Sequence, residues 1–279
     1  MNGTVVDGWG RRPVWLLTLV ITCLVLFVAV QGRAQERAVP PSRVLLENEE
    51  LTYNVRYGFI NLGQVRVKIQ SSWKDSTARV YHGRGLIDSY RGVPFVTLHA
   101  VYESVIDSAF FSRRFLGKLR QNDNASFSRY LFEPDRSRVL MEVGESDSTV
   151  AKRETLAVQT PYQDGLSLFY FARDHLFDGR SVNIPTIVNE KKVNTHIDFR
   201  NEQTSVEIDA IEYPVDVIHF EGTADFVGLF GLTGDFEGWF SNDEARIPIL
   251  AKLRVLIGSV TVELMDWKRS GWTPPRGKG

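Results

Sequence analysis

Leu51-Thr-Tyr-Asn-Val-Arg-Tyr57, followed after Asn61 and Gly63 by Gln64-Val-Arg-Val-Lys-Ile-Gln70, makes the fold class readable. Leu51, Tyr53, Val55 and Tyr57 alternate with Thr52, Asn54 and Arg56. Val65, Val67 and Ile69 alternate in the same way with Gln64, Arg66, Lys68 and Gln70. A period of two puts successive side chains on opposite faces, so each run is a strand with one apolar and one polar face, and the short link makes a hairpin.

The same texture extends outward from this pair. Val96 to Ile106 is rich in β-branched and aromatic residues, and Ser126 to Phe132 and Arg138 to Val143 flank the turn-forming Glu133-Pro134-Asp135. Further strands are expected at Val193 to Phe199, Ser205 to Ile211, Val215 to Phe220, Thr233 to Phe240, Ile247 to Leu256 and Val260 to Trp267. Strands at this spacing with little helix between them predict a mainly β protein: a single antiparallel, strongly curved sheet or barrel-like domain.

One segment departs from that period. Asp164-Gly-Leu-Ser-Leu-Phe-Tyr-Phe-Ala-Arg-Asp-His-Leu-Phe177 opens on a good N-cap residue and stops at Asp178-Gly179. Leu166, Phe169, Tyr170, Leu176 and Phe177 fall on one helical face, and Leu168, Phe171 and Ala172 cover much of the rest. A helix apolar nearly all round, at about 164–177, is expected to sink into the concave side of the sheet.

Before the β pattern begins, the uncharged run Val14 to Val30 follows Arg11 and Arg12 and precedes Gly32 and Ala34, the layout of an export signal. Its length sits at the lower edge of the roughly 17–25 residues that span a bilayer. Residues 1–34 therefore read as a signal peptide cleaved after Ala34, or as an N-terminal membrane anchor held with its basic end inside. The rest is divided into a spacer at 35–48, containing Val39-Pro40-Pro41, a β-rich domain at 49–270 and a flexible tail at 271–279. Cys23, the single cysteine, lies inside the apolar run, so cleavage leaves no disulfide and no thiolate site. A lipid anchor on it is disfavoured, because seven apolar or small residues still follow it.

Composition excludes more than it proposes. With 33 basic and 34 acidic residues the net charge is −1, which gives no basic face for nucleic acid. The five histidines form no His-x-His or His-Glu-x-x-His pair, so no metal and no cofactor is expected. Gly165-Leu-Ser167-Leu lacks the second glycine of a nucleophile elbow, and acidic pairs such as Glu103 with Asp107 are common on any strand. No catalytic residue can be named. Gly228, Gly231, Gly234 and Gly238 suggest a hairpin with Leu229, Phe230 and Leu232 at its tip, or a loop that inserts apolar groups into a membrane or over a ligand.

The most distinctive string is Gly238-Trp-Phe-Ser-Asn-Asp-Glu-Ala-Arg-Ile-Pro-Ile-Leu250. It reads as a corner between two strands: Asp243 can cap the turn's amides, Arg246 can pair with a carboxylate, and Pro248 implies an edge or bulge. The alternative is a ligand-facing cluster. Candidate ligand-binding residues are Arg173, Trp239, Asp243 and Arg246.

Four stretches carry a family resemblance: Glu49 to Gly58 with Gly63, Asp164 to Arg173, Trp239 to Pro248, and Gly258 to Leu264. In that order and spacing the chain resembles the bacterial exported family named domain of unknown function 3108, whose recurring positions correspond to Asp164, Ser167, Arg173, Trp239, Asp243, Arg246 and Pro248. The resemblance implies a β-rich protein of the periplasm or envelope of a Gram-negative-type bacterium, and it supplies no activity. Three function classes stay open. The first is a non-enzymatic envelope protein whose curved sheet binds an apolar or lipid-like ligand or an envelope partner. The second is a structural or interaction protein with a filled core. The third is a hydrolase whose carboxylates are distant in sequence. Membrane contact would come through residues 14–30 if that segment is retained.

Overall fold

The computed structural model describes residues 42–75, 78–93, 97–146, 149–227, 232–255 and 258–278. The apolar run from Val14 to Val30, Ala34, the Val39-Pro40-Pro41 spacer and the Gly228 to Gly231 loop lie outside these residues.

Period-two alternation builds two meanders. β1 (Glu50–Tyr57), β2 (Ile60–Lys74), β3 (Arg79–Ser89), β4 (Leu98–Asp107), β5 (Ser112–Gln121), β6 (Asn124–Glu133), β7 (Arg138–Ser146) and β8 (Thr149–Ala157) form the first. β9 (Ser181–Val188), β10 (Lys191–Ile208), β11 (Ile211–Val227), β12 (Leu232–Ser241), β13 (Pro248–Val255) and β14 (Ser259–Lys268) form the second. The antiparallel pairing of β1 with β14 welds them into one 14-stranded sheet. The first and last strands of the chain thus meet in mid-sheet, and β8 and β9 are its edges. The hairpins turn on residues that tolerate positive φ. Asn189 and Glu190, at 49° and 62°, close β9 to β10 as a two-residue turn, and Asn122 sits at 52° between β5 and β6.

Two strands expected as separate, Val193 to Phe199 and Ser205 to Ile211, are one strand, β10, and the chain turns only at Asp209-Ala210. The polar stretch Arg200-Asn201-Glu202-Gln203 looks like a connection but is a bulge: register with β11 shifts between Asp198 and Glu202, and Asn201 adopts φ 56°. The bend carries the β10–β11 turn over β14, where the Asp209 amide donates to Glu263 Oε1 (2.8 Å) and Arg56 pairs with Glu263 (2.7 Å).

Between β8 and β9 runs the helix, α1 (Gly165–Asp174), shorter than expected at its C-terminal end. Asp164 caps it by accepting from the Leu166 and Ser167 amides, and Ser167 Oγ returns to the Asp164 amide, a reciprocal pair that satisfies donors orphaned at a helix start. Three apolar clusters meet α1. Leu166 and Tyr170 join Val67, Ile69, Tyr81 and Ile106 of the first meander. Ala172 and Leu176 join Ile184, Ile197, Phe199 and Phe220 of the second. Phe169 packs between the first of these and a cluster built on Leu51, Tyr53, Ile249 and Leu264. The expected common face holds except at Phe177, which is 38% exposed.

Among the described residues the sheet does not close by a ladder. Its edges are bridged instead by side chains and by the linker before α1. Gln163 and Ile187 bond main chain to main chain, Lys192 Nζ donates to the Ala157 carbonyl (2.7 Å), and Ile187 packs against Tyr130, Phe132, Val139 and Met141. Glu190 accepts from Ser128 Oγ (2.6 Å) and Tyr130 OH (2.8 Å). The result is a barrel-like sheet wrapped about its own helix.

The C-terminal residues correct the expectation of a flexible tail from 271. Tyr213 OH donates to the Pro274 carbonyl (2.9 Å), the Gly277 amide donates to the Pro214 carbonyl (2.8 Å), and Arg276 lies 4.0 Å above the Tyr213 ring. The reason is local: β12 ends at Ser241, which leaves the first residues of β11 paired with β10 but open on their other side, and the tail takes that place.

Candidate functional site

Three of the four residues singled out by sequence come together. Arg173, in the last turn of α1, is fully buried. It donates from Nη1 and Nη2 to Glu49 (2.5 and 3.1 Å), from Nη2 to the Ala245 carbonyl (2.9 Å) and from Nε to the Arg246 carbonyl (3.1 Å). Arg269 reaches the same Glu49 carboxylate from the other side and donates to the Arg43 carbonyl. Burial works against the charge on Arg173, but the adjacent Glu49 carboxylate outweighs it and leaves the pKa raised.

The corner answers the helix. Asp243 Oδ1 accepts from Ser241 Oγ (2.8 Å), the Ala245 amide (2.9 Å) and the Arg246 amide (3.0 Å), while Oδ2 accepts from Trp272 Nε1 (2.7 Å). This folds the turn tightly enough to place Arg246 at φ 50°. From there its guanidinium donates to the Asp174 and Arg173 carbonyls, orphaned at the helix end, and lies 5.1 Å above the Phe177 ring. Arg173 binds the corner's carbonyls and Arg246 binds the helix's, so the two elements hold each other reciprocally. Pro248 begins β13 beside a register shift, as an edge or bulge proline should.

Trp239 is not part of this cluster. It stacks on His219 at 4.9 Å and carries Lys252 Nζ 5.2 Å above its ring. Arg173, Asp243 and Arg246 thus form a structural clasp that directs most of its donors and acceptors at the protein itself, with Arg246 Nε left buried and unpaired. Glu49 and Arg269 complete it. Sequence named neither as a site residue, although Glu49 opens one of the stretches that carry the resemblance, because their contacts span 124 and 220 residues.

A second buried polar group sits at the other end of α1. Ser104 Oγ donates to Asp164 Oδ2 (2.5 Å), Ser112 Oγ is 2.8 Å from Ser167 Oγ, and the Asp164 amide donates to Ser112 Oγ (2.8 Å). Burial raises the Asp164 pKa against the pull of these bonds. A serine–carboxylate group of this kind resembles a nucleophile site, but all four side chains are buried and, among the described residues, no histidine or lysine hydrogen-bonds to them. Among the described residues no group of three or more His, Asp or Glu side chains is arranged to hold a metal.

Open space lies elsewhere. A depression of about 520 Å³ on β10–β14 is lined by His196, Asp198, Arg200, Glu221, Asp235 and Arg254. Its charges are largely mutual, with Arg200 on Asp198 (2.5 Å) and Arg254 on Asp235 (2.8 Å). A depression of about 450 Å³ on β2–β6 is more apolar, lined by Trp73, Val105, Leu116 and Leu131 with Arg114 and Arg129. Its one sequence signal is the run Tyr130-Leu131-Phe132, which breaks alternation and must turn one apolar group outward.

The profile of a family described as protein of unknown function (DUF3108) matches residues 52–265. No curated protein matches. Among solved structures, a β-barrel-like protein of domain of unknown function DUF1849 from Brucella abortus is similar, with 10% identity and a TM-score of 0.53 over 79% of this chain and 96% of that one. A protein of Bacteroides fragilis assigned as exported, with a YmcC-like fold, aligns at 7% identity and a TM-score of 0.29 over 80% and 97% of the two chains. The first of these likenesses supports the barrel-like fold and nothing finer.

Proposed function

The chain belongs to the DUF3108 family of proteins of unknown function, and from that premise we propose that it is an exported, non-enzymatic protein of the bacterial envelope that acts by binding through the outer surface of its sheet. The observation that carries this reading is the occupied concave side: Leu166, Tyr170 and Ala172 of α1, with Leu176 just beyond its end, fill it and are each at least 92% buried. A carrier that holds its ligand in the concavity needs open apolar volume there, on the order of 300 Å³ or more. Here that side is packed by the chain itself. Export rests on Arg11 and Arg12, the run from Val14 to Val30, and Gly32 with Ala34. The non-enzymatic reading rests on the buried, internally bonded state of the Ser104–Ser112–Asp164–Ser167 group.

Two measurements test this. Residues 1–48 fused to a phosphatase that matures only in an oxidising compartment should give active reporter, and an inactive fusion overturns export. Ala172→Phe adds a ring to a filled interior and should cost about 1–3 kcal/mol in denaturant unfolding. A variant as stable as the parent would mean that the interior holds free space, and the occupied-concavity reading would fall.

A further inference from the structure

The solvent face of β3–β6 carries an apolar groove where alternation calls for polar side chains. Register sets His82, Val105, Arg114 and Leu131 in one row across four strands, and Glu103, Leu116 and Arg129 in the next. Residues paired across antiparallel strands project to the same face, so these side chains form one continuous surface, with Trp73 of β2 at its end. The groove holds about 450 Å³, inside the 300–1,000 Å³ range of small-molecule sites. Trp73 and Leu131 are each 39% exposed in it, apolar area that packing within the fold does not require.

Its charges are asymmetric. Arg129 is held by Glu142 (2.8 Å), which also takes Arg153 (2.9 Å). Glu103 lies between His82 (3.7 Å) and Arg84 (3.8 Å). Arg114, exposed at the groove, has no carboxylate or carbonyl partner among the described residues. One free guanidinium beside an apolar floor matches a molecule with one anionic oxygen pair and one apolar body, since the planar fork binds a carboxylate in two-point fashion.

We propose that this groove binds a single-chain amphiphile bearing one carboxylate, its chain over Trp73, Val105, Leu116 and Leu131 and its head on Arg114. A peptide fits less well, because the groove lies on β2–β6, strands paired on both sides, and offers no free backbone edge for strand addition. The depression on β10–β14 is more polar, lined mostly by charged residues, and its arginines are already taken. The proposal rests on the reading that the outer surface does the binding.

Dodecanoate below its micelle-forming concentration is the probe, with dodecanol and dodecyltrimethylammonium beside it, titrated calorimetrically into the exported protein. Dodecanoate should bind tightest of the three. Arg114→Ala should weaken it about tenfold, the worth of one partly exposed charge-assisted bond, and leave dodecanol unchanged. Leu131→Asp should abolish binding of both. Both positions are solvent-exposed, so each variant should unfold at the parental temperature. Dodecanoate brominated along its chain should quench tryptophan emission in the parent and less in Trp73→Phe. No binding of any probe, or dodecanoate binding indifferent to Arg114→Ala and Leu131→Asp, overturns the groove assignment and leaves the occupied-concavity reading standing. Binding lost in Ala172→Phe but kept in Leu131→Asp would place the ligand inside and overturn both.

Discussion

Arginine sits in two contrasting places in this protein. At the clasp between α1 and the β12–β13 corner, Arg173 and Arg246 are turned inward, and their hydrogen bonds end on Glu49 and on main-chain carbonyls of residues 173, 174, 245 and 246. On the face of β3–β6, Arg114 ends in solvent beside leucine and tryptophan. The same side chain is a tie in one place and an open hand in the other. Burial decides which: a donor left unmet out of water is costly, whereas a guanidinium at the surface can wait for a ligand.

The hardest way to break that contrast is to remove one member of the buried set. Glu49→Ala leaves Arg173 and Arg269 facing each other without their anion, and unfolding in urea should show a loss of about 3–5 kcal/mol. A result under about 1 kcal/mol would mean that the clasp is no more than a surface ion pair. Asp243→Ala comes next. It releases two amides, one hydroxyl and the Trp272 indole, and should cost about 2 kcal/mol. The C-terminal residues should then become cleavable by carboxypeptidase, because Trp272 helps to dock them.

Two pH responses sharpen the comparison through opposite signs. Burial raises the folded pKa of Asp164 above its ordinary value of 3.8. The unfolded chain therefore gives up that proton first, and the stability this group contributes is full below about pH 3.8 and lost as pH rises through the raised value. The stability of the parent relative to Asp164→Asn should decline from pH 4 towards neutrality, and a rising difference would contradict the direction. On the outside, Asp198 is lowered chiefly by its bond from Arg200. Its contribution is present above pH 3.8 and lost as pH falls through the lowered value, so Asp198→Asn should matter only on that side. Because the pair is exposed, the effect should be small and should fade in 0.5 M salt. Smallest of all is Phe59→Ser at the β1–β2 turn, where the ring is 96% exposed; its thermal midpoint should stay within the change expected of about 0.5 kcal/mol.

Much of the fold was legible because its signals are local. The hairpin of β1 and β2 follows from alternation, and Asp164 with Ser167 announces the start of α1 through bonds that span three residues. β10 was misdivided because a bulge and a turn offer the same polar residues, and only the partner strand distinguishes them. Four strands, β3, β5, β8 and β9, went unread. β8, with Thr149-Val-Ala-Lys-Arg-Glu-Thr-Leu-Ala157, is an edge with charges on both faces, so its apolar pattern is faint. β3 and β5 are broken by Gly83, Gly85 and Gly117.

Those glycines show where packing overrides pattern, and the point is plainest in the second meander. A Cβ on Gly222 would lie 2.2 Å from the Phe236 ring, and one on Gly238 would lie 2.3 Å from the Phe220 ring. Each ring occupies the place of the side chain that its neighbour lacks, which lets the sheet curve tightly at that point. A glycine in a strand reads as weakness until the aromatic ring across from it is known.

The sequence by itself determined the class of the fold, the site and capping of the single described α-helix, and the residues of the corner, because each depends on neighbours within a few positions. Tertiary structure alone decided what those residues are for. Glu49 finds Arg173 and Arg269 across most of the chain, β1 finds β14, and Leu131 finds Trp73, Val105 and Arg114 across five strands. Such contacts are set by register and sheet curvature. Burial, which turns one arginine into a clasp and leaves another free, exists only once the sheet has wrapped around its helix.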